Sequence, residues 1–239
     1  MNIHHRFSAR HGFTLVELLV AIALIAFLGV LVFSFSGRIR VTSDRMKCTG
    51  NLRQIFVLMQ AYLDDHNGHF PVAAEELRNA AGEKIGVREF WGGKLVKHSG
   101  VSDYRCFVCP ALNPAEVHRD LLTSRRGNDF AFAYVSYAIN RHGLSPSISD
   151  ERGGANSRRI TEPSKVLMLV DYDSKSQPNL GWHLVSRDVM AAGWEYNAAR
   201  HGGAVNALFC DGHVELISSL ETLKGKSASG APWFEKQFY

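Results

Sequence analysis

Gly12-Phe13-Thr14-Leu15-Val16-Glu17-Leu18-Leu19-Val20-Ala21-Ile22-Ala23 opens an apolar run that continues to Ser36 and governs how the rest of the chain is read. Of the 24 residues from Phe13 to Ser36, 19 are hydrophobic, the exceptions being Thr14, Glu17, Gly29, Ser34 and Ser36. About 20 such residues in a helix cross the ~30 Å hydrocarbon core of a bilayer. The mean hydropathy of −0.10 over 239 residues therefore averages one membrane-grade segment with a soluble-grade remainder. The run is longer than the apolar part of a secretory signal peptide, which is about 7–15 residues. A plain anchor leaves Glu17 unexplained. A carboxylate inside a span costs about 2.5–3.5 kcal/mol and by default marks a function and implies a partner.

The segment Gly12 to Ala23 resembles the cleavage and methylation motif of type IV prepilins and of type II secretion pseudopilins. The resemblance implies a leader, residues 1–12, removed by a membrane prepilin peptidase that cuts between Gly12 and Phe13 and N-methylates Phe13. It makes Glu17 the fifth residue of the mature chain and the residue that sets assembly register. The physical logic agrees, because a new amine at Phe13 and a carboxylate at Glu17 are charges that each need a counter-charge in an apolar setting. In a filament, Glu17 of one subunit pairs with the Phe13 amine of its neighbour.

Beyond the span, Leu52, Ile55, Phe56, Met59 and Leu63 recur at intervals of mostly three and four, one face of an amphipathic helix. No proline occurs before Pro71, so one helix from about Thr14 to Asp65 is expected, stopped by Asn67-Gly68. A short helix is expected over Ala73–Ala81 and a strand over Phe130–Ile139. Residues 143–159 read as a polar loop and Val166–Val170 as a buried strand. Val205–Cys210 and His213–Ile217 flank Asp211-Gly212, the sequence of a type I′ hairpin turn. Late hairpins without intervening helices favour an antiparallel α+β head. The expected architecture is pilin-like: a long N-terminal helix, its first half transmembrane, packed on an antiparallel β-sheet. The divisions are 1–12 (leader), 13–36 (transmembrane and assembly segment), 37–66 (amphipathic continuation) and 67–239 (periplasmic head).

His201, nine residues, then Asp211-Gly212 resembles the C-terminal signature of a bacterial prepilin-type family. Cys109-Pro110, Ser136-Tyr137-Ala138-Ile139-Asn140 and Pro163-Ser164-Lys165-Val166 through Asp171 match that family's usual order. The signature has two readings. Asp211-Gly212 is accounted for by turn chemistry, with His201 orienting the hairpin. Alternatively Asp171, Asp173, His201, Asp211 and His213 form an oxygen-rich ligand set that suits calcium. The same residues are the candidates for a hydrolytic metal centre.

The four cysteines permit disulfides if the head is periplasmic. Cys106 and Cys109 close a tight loop, or one of them pairs with Cys210. A zinc site at this Cys-x-x-Cys needs partners such as His98 or His118. Cys48, on the helix, reads as a free thiol. The net charge of +4 falls to about +2 without Arg6 and Arg10, and no Lys/Arg run exceeds two residues, so nucleic-acid binding has no electrostatic footprint.

The expected function is that of a structural subunit with no catalytic residues, polymerising in a type IV pilus-like or type II secretion-like apparatus. Its partners are the peptidase, other pilin-like subunits and inner-membrane lipid. A tethered polysaccharide-binding module, using Trp91, Trp182, Trp194 and Trp233 with the 143–159 loop, is the alternative, followed by the metal hydrolase.

Overall fold

The apolar run and its continuation form one helix, α1, Leu15–Asp65, in a computed structural model of the chain. The structure describes residues 14–101, 103–112, 135–141, 143–145, 153–174, 177–181, 184–185 and 198–217. The chain divides into two units, Met1–Arg40 and Val41–Tyr239. The first holds the apolar stretch Leu15–Phe33, long and apolar enough to cross a membrane and with none of it buried. Leu15, Ile25 and Phe33 all show more than half of their surface.

The second unit is built on the C-terminal part of α1. Cys48, Leu52, Ile55, Met59 and Leu63 recur at helical spacing and are buried. They share one core with Tyr137, Ile139, Met168, Leu169 and Leu208. Each such side chain contributes about 1.5–3 kcal/mol on burial. The helix ends where the sequence places its stop: Asn67 and Gly68 have φ of 54° and 83°, and the Gly68 N–H donates to the Leu63 carbonyl at 2.7 Å.

The expected helix over Ala73–Ala81 is instead a strand. β1, Ala74–Arg78, pairs antiparallel with β2, Lys84–Phe90, and α2, Trp91–Ser99, follows directly. Alanine content suggests a helix, but Asn79 closes a turn whose side-chain oxygen accepts from the N–H groups of Ala81 and Glu83 at 3.0 and 2.9 Å. Asparagine competes in this way with helical hydrogen bonding.

The main sheet has five strands: β3 (Tyr137–Asn140), β4 (Leu167–Asp171), β7 (Leu184–Val185), β8 (Val205–Phe209) and β9 (Val214–Ile217), in the order β7-β3-β4-β8-β9. All pairs are antiparallel except β3 with β7, which is parallel. A small hairpin, β5 (Asp173–Ser174) with β6 (Gln177–Gly181), follows β4. The strand expected over Phe130–Ile139 is described from Tyr137 onward, and residues 130–134 lie outside the described residues. Every position of β3, β4 and β8 is buried, so both faces of the sheet's three central strands are covered. Ala138, Leu167, Val170, Val205, Ala207, Phe209 and Ile217 form a second cluster, distinct from the one that α1 joins.

The β8–β9 hairpin stands where Asp211-Gly212 predicts it, but not with a type I′ turn. Only Gly212 has positive φ (90°). The Phe209 carbonyl accepts from the Gly212 N–H, and the Phe209 N–H donates to the His213 carbonyl, both at 3.0 Å. This is a type I turn followed by a left-handed glycine. A Cβ on Gly212 would lie 2.7 Å from the Phe56 ring of α1. Gly212→Ala is therefore expected to destabilise the head by about 1–3 kcal/mol, through backbone strain and overpacking. Denaturant unfolding should show that loss reduced in a Phe56→Ala background; an unchanged midpoint for Gly212→Ala contradicts the assignment.

Candidate functional site

Two places carry candidate chemistry, one in each unit. At the N-terminal end of α1, Gly12 and Phe13 lie outside the described residues, and the described chain begins with a reciprocal cap. The Thr14 backbone N–H and side-chain hydroxyl both donate to Glu17 Oε2 at 2.9 Å, and the Glu17 N–H donates to Thr14 Oγ1 at 3.2 Å. This is a capping box, which satisfies two of the orphan donors at a helix start. The Thr-x-x-Glu spacing announces it, although the prepilin resemblance draws attention to Glu17 alone.

The second place is a buried polar cluster in the head, to which four separate segments each bring one residue. Cys48 stands on α1 at the start of its core stripe. Cys109 follows the 3-10 turn Arg105–Phe107. Asp171 ends β4. His201 ends the 3-10 turn Ala198–His201. All four are buried, Asp171 showing 1% and His201 2% of its surface.

The contacts are close. Cys48 Sγ donates to Asp171 Oδ1 at 3.0 Å and lies 3.9 Å from Cys109 Sγ. His201 Nε2 lies 3.3 Å from Asp171 Oδ2 and 3.4 Å from Cys109 Sγ. Asn206 donates to Asp171 Oδ2 through both its backbone N–H and its side-chain amide, at 2.9 and 3.0 Å. The Tyr137 hydroxyl sits 3.1 Å from Cys48 Sγ and accepts from the Asn51 amide at 3.3 Å. Among the described residues, no group hydrogen-bonds to the buried His201 Nδ1.

The electrostatics follow from burial set against these contacts. Burial pushes the Cys48 thiol well above the usual cysteine range. Cys109 moves the other way, down to about 5, through its contact with the neighbouring Cys48 thiol and, further, with His201, against the cost of burial. Burial opposes the charged form of His201, but hydrogen bonds and charge from Asp171 and Cys109 outweigh it and lift its pKa to about 9. Burial likewise works against the Asp171 carboxylate. His201, the charge of Arg200 and the Asn206 N–H prevail and hold its pKa below the ordinary value. Arg200 itself donates to the Ser136 and Tyr172 carbonyls, both at 3.2 Å.

The residues singled out in the sequence therefore separate. Asp171 and His201 come together in the core. Asp211 and His213 sit at the hairpin, where Asp211 Oδ1 accepts from the His213 N–H at 3.1 Å and contacts His213 Nδ1 at 2.6 Å. Asp173 begins β5, and its side chain lies outside the described residues. His201 contacts Asp171 and Cys109, where the sequence reading has it orienting the hairpin. All four cysteines are free thiols, and the thiol that Cys109 faces belongs to Cys48. His98 pairs with Asp65 at 2.8 Å, and His118 lies outside the described residues. Trp91 is fully buried against Phe107, while Trp182, Trp194 and Trp233 lie outside the described residues.

Cys48 is the member that the sequence reading leaves out. Its signal is present, since it lies four residues before Leu52 and thus extends the core stripe by one turn.

An apolar N-terminal helix with a mostly antiparallel α+β head is a pilin-like architecture. Residues 7–33 match the family model described as the prokaryotic N-terminal methylation motif, so the chain carries the prepilin-type signature. No curated protein and no solved structure matches the chain.

Removing one partner from a buried ionic cluster strands the others. Asp171→Ala is expected to lower head stability by about 3–5 kcal/mol in denaturant unfolding. A loss below about 1 kcal/mol contradicts the bonding described for Asp171.

Proposed function

We propose that the chain is made as a precursor and cut between Gly12 and Phe13 by a prepilin peptidase, which methylates Phe13. The mature subunit is held in the bacterial inner membrane by its single apolar helix, with the head in the periplasm. It polymerises through that helix with other pilin-like subunits in a type IV pilus-like or type II secretion-like apparatus. The match of residues 7–33 to the N-terminal methylation motif carries this reading.

The local geometry supports it. The capping contacts hold the Glu17 carboxylate 2.9 Å from the Thr14 nitrogen, one residue from the atom that becomes the terminal amine. Cleavage releases a cation beside an anion that is already ordered. In a polymer, exchange of this carboxylate to the amine of a neighbouring subunit satisfies both charges and fixes the register of addition. The exposed apolar side chains from Leu15 to Phe33 then contact lipid before assembly and neighbouring helices after it. Burial of Trp91, Asp171 and His201 also favours a structural head over a sugar-binding face or a water-accessible hydrolytic pocket.

Mass spectrometry of the mature N-terminus should find methylated Phe13, and Glu17→Ala should be processed but enter filaments poorly. An intact Met1 terminus in cells that contain the peptidase contradicts the processing, and wild-type incorporation of Glu17→Ala contradicts the register mechanism.

A further inference from the structure

Cys48, Cys109, Asp171 and His201 present one donor atom each, two sulfurs, a carboxylate oxygen and an imidazole nitrogen, all within 4.8 Å of one another. We propose that these four side chains form a structural zinc site that fastens α1 to the sheet of the head.

The donor set selects the metal. Zinc takes thiolate, imidazole and carboxylate ligands in a tetrahedron, whereas calcium takes six to eight oxygens. The spacing fits as well. With Zn–S near 2.3 Å and Zn–N or Zn–O near 2.0–2.1 Å, the edges of a tetrahedron are about 3.8 Å between sulfurs and about 3.3–3.4 Å between nitrogen and oxygen. The corresponding separations are 3.9 Å for Cys48 Sγ to Cys109 Sγ and 3.3 Å for His201 Nε2 to Asp171 Oδ2. Cys109 Sγ to His201 Nε2, at 3.4 Å, lies close to the mixed edge of about 3.6 Å. Cys48 Sγ to Asp171 Oδ1, at 3.0 Å, is shorter and runs to the other carboxylate oxygen, the distance of a thiol hydrogen-bonded to a carboxylate, and the remaining edges lie within 4.8 Å. That contact lengthens when the thiol gives up its proton.

The surroundings suit a metal rather than a bare cluster. Asn206 fixes the Asp171 carboxylate through two hydrogen bonds to Oδ2, and the Tyr137 hydroxyl lies beside Cys48 Sγ. Such outer contacts orient the side chains that hold a metal. His201 Nδ1, without a partner among the described residues, can carry the ring proton, which leaves the Nε2 lone pair directed at the other three donors. Binding displaces whatever protons the two ligating sulfurs and the ligating imidazole nitrogen carry, and no bond changes its oxidation level. Four protein ligands close the coordination sphere, the arrangement of a structural site, whereas a catalytic site keeps a position open. The inference is independent of N-terminal processing, since every ligand lies in the second unit.

The test uses the full chain purified from membranes in detergent, without chelator. Elemental analysis is expected to find about one zinc per chain, and removal of the zinc is expected to lower the melting temperature of the head. Cobalt added to the metal-free, reduced protein should give the visible bands of a tetrahedral ion and thiolate charge-transfer absorption. Cys48→Ser and Cys109→Ser should lose that spectrum, whereas Cys106→Ser and Cys210→Ser should keep it. Should the ligand variants fail to fold, the wild-type cobalt spectrum still decides. Less than about a tenth of a metal ion per chain, before and after zinc addition, overturns the proposal. So does a Cys48–Cys109 disulfide in the purified protein, or a cobalt spectrum without thiolate charge transfer.

Discussion

A carboxylate leaves water only in company, and the head is arranged around that constraint at Asp171. Its two oxygens are claimed by the Cys48 thiol, by His201 and by two donors of Asn206. Satisfying them requires the end of β4, one turn of α1, the 3-10 turn at His201 and the neighbouring strand β8 to meet at one place. Apolar packing of Leu52, Ile55 and Met59 against Met168, Leu169 and Leu208 supplies most of the favourable energy. Packing alone tolerates alternative arrangements of similar volume. A buried polar cluster tolerates fewer, because each misplaced partner leaves a desolvated group unpaired.

The helix α1 serves two physical regimes along one sequence. From Leu15 to Phe33 its apolar side chains are exposed, a state suited to lipid or to neighbouring helices. From Cys48 onward a single stripe is buried in the head while Arg53, Asp64 and Asp65 stay in water. Glu17 belongs to the first regime and is the one acid in it. Its carboxylate is satisfied locally, accepting from the Thr14 N–H and hydroxyl.

Much of this was legible in the sequence, for identifiable reasons. The long helix follows from apolar content, the absence of proline before Pro71 and the Asn67-Gly68 stop. The strand β4 follows from a short, wholly apolar run, and the late hairpin from Asp211-Gly212. The failures were local ones. Ala73–Ala81 misled because alanine's helix propensity is weaker than the turn chemistry of Asn79. The turn type at Asp211 was misjudged because a three-residue loop with one left-handed glycine also carries Asp-Gly. The cluster was half legible. Cys109, Asp171, His201 and Tyr137 each stood in a motif of its own, but no spacing rule joins residues 48, 109, 171 and 201. Only the fold sets them side by side, and Cys48 was hidden because a cysteine at a core position reads as a small apolar residue.

The claim on which the head rests is that Asp171 and His201 act as one unit. A double-mutant cycle with Asp171→Asn and His201→Gln, read by denaturant unfolding of the full chain in detergent, tests it most directly. The account predicts that the two losses fall short of additivity by about 1–3 kcal/mol, as for groups that share a buried network. Additivity within about 0.3–0.5 kcal/mol would contradict it.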